Sequence, residues 1–127
     1  MSDLTEFLSA RIAEDEAVAR AAHEGPWERE DDQVRMALIP ATSQTRVRAN
    51  EWLCDSISDA DAEHIARYDP PRVLAECEAK RRIVEAAADY SPELEHGDNG
   101  EWAFGIVLRL LALPYVEHPD FREEWRA

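Results

Sequence analysis

The chain has 127 residues, a formal net charge of −14 and 45% hydrophobic residues. That length supports a real core in one domain but not in two, and the apolar content is ordinary for a globular protein. The charge repels phosphate backbones and anionic lipid, arguing against direct nucleic-acid binding, and no apolar run reaches the length of a bilayer span.

The chain opens with Ser2-Asp3-Leu4-Thr5-Glu6, the opposite of a basic signal peptide, so a cytoplasmic protein is expected. Asp3 and Glu6 have capping-box spacing and predict a helix over 3–23. Its apolar face carries Leu4, Phe7, Leu8, Ile12, Val18, Ala19 and Ala22. Arg11 and Asp15 fall in the same sector, four residues apart, as a ligand-facing pair or an ion pair at the stripe's edge. Gly25-Pro26 stops that helix, and Trp27 is expected to pack back on it.

Between residues 33 and 54 the period changes to two. Val34, Met36 and Leu38 alternate with Arg35 and Ala37, Pro40 to Ser43 reads as a turn, and Thr45 to Ala49 alternates again. Glu51 to Cys54 offers a third short strand, so the expectation is a two- or three-stranded antiparallel meander. Ser58 is a good N-cap for a helix to Tyr68, and Asp69-Pro70 starts another that runs to Asp89. On that second helix Val73, Leu74, Cys77, Val84 and Ala88 share a face. The segment 101–113 is apolar around its circumference, which predicts burial on most sides, in its own core or against a partner. Pro114 ends it, and Phe121 and Trp125 are expected to dock in the tail that follows, tying down an end that usually frays. The fold class expected is α+β, about four helices with the meander, in a single domain over 1–127.

Charge is unevenly spread. Residues 1–32 carry ten acids and three bases, whereas 33–50 carry no acid and the three arginines Arg35, Arg46 and Arg48. The acidity admits two readings: carboxylates that imitate phosphates on a nucleic-acid mimic, or solubility plus the bias of a GC-rich genome. Lys80 is the single lysine against thirteen arginines, which fits the second.

No nucleophile elbow, glycine-rich phosphate loop or paired-cysteine metal spacing is present, and no cofactor is implied. Cys54 and Cys77 read as small core residues. His64 lies three residues after Asp61 and one after Glu63, so a carboxylate could orient its ring for base or metal chemistry; the plainer alternative is a helix-face histidine holding a neighbouring element. Glu28-Arg29-Glu30-Asp31-Asp32 lacks the ligand spacing of a calcium loop and reads as a solvated acidic loop. Arg46 and Arg48 share a strand parity and so project from one face. They offer dimerisation against an acidic face, an anion site, or internal neutralisation.

Three phrases carry a resemblance: Gly25-Pro26-Trp27, the central His64 to Leu74 run (HIARYDPPRVL), and Leu108 to Trp125 (LRLLALPYVEHPDFREEW). Together with the acidic first helix, they make the chain resemble a family of small actinobacterial and phage-associated proteins catalogued as a domain of unknown function. The resemblance implies a complete natural domain in an actinobacterial or phage setting and implies no activity. The reading from the residues leans away from an enzyme, towards a protein-interaction module with a protein partner or self-association. The alternatives are a DNA-mimic regulator and a small-ligand protein or enzyme centred on His64. Partner-binding candidates are Arg46, Arg48, Asp61 and His64.

Overall fold

The computed structural model describes residues 2–36, 52–90 and 99–126. Among the described residues, four helices and one three-stranded antiparallel sheet make an α+β fold, as the periodicities predict. In chain order these are α1 (Ser2–Ala21), β1 (Trp27–Glu30), β2 (Gln33–Met36), β3 (Trp52–Cys54), α2 (Asp59–Arg67), α3 (Pro70–Asp89) and α4 (Asn99–Ala112). Short 3-10 turns follow at Leu113–Tyr115 and Glu123–Trp125. None of the described helices is long and apolar enough to cross a membrane.

The contacts group residues 1–15 with 77–127 in one unit and residues 16–76 in another. In the first unit the core is built from Leu4, Phe7, Leu8 and Ile12 of α1, Cys77, Val84 and Ala87 of α3, Leu108 and Ala112 of α4, and Trp125. Ala87 takes the buried position expected of Ala88, which is exposed. Gly100 lies in the first turn of α4, where a side chain would overlap the Tyr90 ring, which itself packs on Phe104 at 5.4 Å between centroids.

In the second unit a hairpin joins β1 to β2, with Trp27 across from Met36 and Glu28 across from Arg35. The segment expected to be an acidic loop is therefore strand and turn. Opposite charges face each other across the ladder, and Arg35 reaches Glu30 at 3.1 Å, so pairing overrides the poor strand propensity of glutamate. Asp31 makes the turn at φ 53°, a conformation aspartate tolerates better than most residues. Val34 is fully buried on the face shared with Arg29, and α2 packs on β1 and β2 through the buried Ala62. Arg29 reaches Asp59 at 3.2 Å, at the first turn of α2. On α1 beyond Asp15 the buried positions are Glu16 and Ala19, whereas Val18, expected on the apolar face, is 72% exposed.

The helix starts follow their caps. Ser58 accepts the Asp61 backbone N–H at 3.1 Å. Asp69 does two things: Oδ1 accepts the Arg72 N–H at 3.1 Å, capping α3, and Oδ2 accepts the Trp27 N–H at 3.1 Å, holding the start of β1. Beside it, a Cβ on Gly25 would lie 2.5 Å from Pro71 Cδ, so only glycine lets the two segments meet. The Trp27 indole donates to the His23 carbonyl at 3.0 Å, a local bond to the segment that follows α1 rather than to α1 itself.

Candidate functional site

The polar chemistry of the first unit collects where the tail meets α1. Leu113-Pro114-Tyr115 turns the chain out of α4, and Pro114, which cannot continue the helix, makes the turn sharp. Tyr115, His118, Phe121 and Trp125 then lie around the Phe7 ring, with centroids at 6.3, 5.7, 6.1 and 5.0 Å. The edge-on geometry of three of these pairs is the arrangement favoured by ring quadrupoles. Trp125 is 7% exposed, so the tail is packed there as the sequence leads one to expect.

Three polar contacts tie the same segments. The Arg11 guanidinium donates to His118 Nδ1 at 2.7 Å and to Glu14 Oε1 at 3.0 Å. Because the Asp120 N–H also donates to His118 Nδ1, at 3.1 Å, that nitrogen serves as an acceptor. Tyr115 donates to Asp15 Oδ2 at 2.5 Å. Burial, then the hydrogen bond to Asp15 and that carboxylate's charge, push the Tyr115 hydroxyl well above the usual phenol range. Arg122 reaches Asp3 Oδ2 at 2.8 Å and lies over the Trp125 ring at 5.4 Å. Arg11 and Asp15 are thus not directed at each other: each takes a partner from the tail. Arg11 is 7% exposed, and its Nε is buried without a hydrogen-bond partner among the described residues.

Two grooves border this contact. The larger, about 520 Å³, is floored by Phe7, Phe121 and Trp125 and rimmed by Asp3, Glu6, Asp120 and Arg122, with Arg11 in its lining. The second, about 360 Å³, shares Asp3, Arg122 and Trp125 and extends to Gly105 and Arg109 on α4. Beyond it, α4 departs from expectation. Trp102 is 70% exposed, Leu110 53% and Val107 36%, and Leu108 and Ala112 are deeply buried on that helix. Apolar periodicity around a helix predicts burial only where neighbouring elements supply the cover, and among the described residues the cover lies on one side.

His64 and Asp61 are both exposed on α2 in the second unit. The His64 ring faces Tyr68 at 4.8 Å, Glu63 accepts from Arg67 at 3.0 Å, and the Asp61 N–H caps onto Ser58. Neither groove described above is lined by His64 or Asp61. Arg46 and Arg48, with the Thr45–Ala49 strand, lie outside the described residues. Cys54 and Cys77 are free thiols, half-buried and buried. Among the described residues no group of three or more His, Cys, Asp or Glu is placed to hold a metal ion.

The phrases that carried the family resemblance are thus structural pairs. Gly25-Pro26-Trp27 meets Asp69-Pro70-Pro71, and the Tyr115 to Trp125 tail meets α1. A family model covers residues 1–127. The chain belongs to the family of unknown function DUF6221. No curated protein and no solved structure matches it.

Proposed function

We propose that this DUF6221 chain is a protein-interaction module that docks an amphipathic helix of a partner protein on α4. The observation that carries the reading is the uncharged face formed by the exposed Trp102, Ala103, Val107 and Leu110 with the half-buried Ile106 among them. The chain holds 28 acids and 14 lysines and arginines, yet none of them lies among these five residues. Covering that face removes apolar area from water, and the exposed Arg109, seven residues after Trp102, lies at its edge, where its head can stay hydrated. Trp102, Ile106 and Leu110, at i, i+4 and i+8, make the kind of ridge that a helix-in-groove partner covers, with tryptophan as the usual anchor. At Gly105 a Cβ would have no neighbour within 4 Å, which leaves room for a partner's side chain beside the ridge. The acidic surroundings favour a partner helix flanked by basic residues and a fast, salt-sensitive encounter.

The test compares wild type with Trp102→Ala/Leu110→Ala in parallel affinity capture at low and high salt, read by mass spectrometry. Both side chains are largely exposed, so the double variant is expected to fold with stability within about 1 kcal/mol of wild type. A protein retained by the wild type and lost at least about tenfold with the variant supports the reading, as the loss of two interface anchors demands. The same proteins on both baits would overturn it. Self-association abolished by the variant would put a second copy of this chain on α4 instead.

A further inference from the structure

In a chain with 28 acids against 14 lysines and arginines, an arginine has carboxylates in excess to choose from. Among the described residues the arginines each reach one at 3.5 Å or less, with a single exception. Arg109 is exposed on α4 and has no ion pair or hydrogen bond to another side chain among those residues. It stands one helical turn after Gly105 and three residues after Ile106, at the edge of the ridge of Trp102, Ile106 and Leu110. With Gly105 it lines the smaller groove, about 360 Å³. The acids of that groove are engaged by a different cation: Arg122 holds Asp3 at 2.8 Å and Glu124 at 3.7 Å. A Cβ on Gly105 would meet nothing within 4 Å, so the space one turn before Arg109 is unfilled. An uncharged ridge is therefore bordered by one cation without a counter-ion and by an open step beside it.

We propose that the partner helix docked on α4 carries a glutamate or aspartate at the edge of its apolar stripe, and that this carboxylate pairs with Arg109. The inference deepens the α4 reading and rests on it. Burial of apolar area is non-directional, so the ridge alone accepts an amphipathic helix in several registers. A cation at one edge removes that freedom, because an acid over Gly105 is attracted there and a lysine or arginine is repelled. The planar guanidinium takes a carboxylate through two parallel N–H donors, which fixes orientation as well as position. Away from Arg109 the acidic surface still favours basic residues on the partner. The recognised helix thus has one acid beside its stripe and bases towards its ends. An exposed pair adds little affinity, so its effect is on the choice among helices.

The test is a selection of displayed helical peptides against full-length protein. The library fixes an apolar stripe of leucine and tryptophan and varies the positions flanking it among Glu, Gln and Lys. Against wild type, the sequenced pool is expected to favour Glu over Lys about five- to tenfold at one edge position. Arg109→Ala should erase that preference and Arg109→Glu should turn it towards Lys. The side chain is exposed, and circular dichroism verifies that both variants stay folded. A parallel selection on Trp102→Ala/Leu110→Ala separates the two readings. Peptides enriched on wild type and lost on that double variant, but with the same edge residues on Arg109→Glu as on wild type, would overturn the pairing and leave α4 docking standing. No enrichment on wild type, or equal enrichment on the double variant, would overturn α4 docking and the pairing with it.

Discussion

Around Phe7, four rings and three long-range polar contacts fasten α1 to the tail. Around Asp69, one carboxylate accepts two backbone N–H groups while a glycine admits a proline ring. The first junction is made of side-chain mass and charge, so it is sensitive to volume. The second is made of backbone geometry, so it is sensitive to single atoms. The two therefore break in different ways, and substitutions can separate them.

The largest effect is expected from Trp125→Ala. The side chain is 7% exposed and touches both Phe7 and Phe121, so its removal leaves a cavity as well as two lost ring pairs. A loss of about 3–5 kcal/mol is expected in urea unfolding. Amide exchange should rise over 2–15 and 113–126 while the β1–β2 ladder keeps its protection. Equal loss of protection in the hairpin would show that the two junctions fail as one.

Asp69→Ala should give the converse pattern at smaller cost. It removes a helix cap and a second accepted hydrogen bond, together worth about 1–3 kcal/mol. Asparagine retains one side-chain oxygen, so Asp69→Asn should recover part of the loss. Exchange should rise at Trp27 and Arg72 and leave the tail unchanged. If asparagine is no better than alanine, accepted hydrogen bonds do not explain the junction.

Much of the fold was legible because the signals were local. Ser58, Asp69-Pro70 and Gly25-Pro26 act within a turn of where they stand, and the elements begin or end there. What was not legible depended on distant partners. Arg11 and Asp15 have adjacent places on one helix, but His118 and Tyr115 lie 107 and 100 residues away, beyond any periodicity argument. The signal that could have found them is the tail itself: Tyr115, His118, Phe121 and Trp125 recur at spacings of three and four with no α-helix to present them. β1 was hidden for a different reason. Glu28, Arg29 and Glu30 are all exposed, so the strand has no apolar alternation and exists through its pairing with β2. On α4 the composition indicated cover on most sides; cover is a property of neighbours, and residue types report only the demand for it.

The smallest and most selective effect is expected at Tyr115. Tyr115→Phe keeps the ring against Phe7 and deletes only the hydroxyl that donates to Asp15, a change worth about 1 kcal/mol near neutrality. Its pH dependence gives the sharper test. In the folded protein the hydroxyl holds its proton far above the ordinary phenol value, because ionisation would bury a phenolate beside the Asp15 carboxylate. In the unfolded chain it ionises near pH 10. Above about pH 10 the unfolded state therefore binds fewer protons than the folded one, and stability falls as pH rises, by up to about 1.4 kcal/mol per pH unit. The phenylalanine variant lacks that titration. The wild type should accordingly be the more stable of the two at pH 8, with the advantage intact up to about pH 10 and then shrinking towards pH 11. A difference that stays constant from pH 8 to 11 would mean that Tyr115 is not held against Asp15 in solution. A difference that shrinks would mark the α1–tail junction as charge-dependent, unlike the backbone-built junction at Asp69.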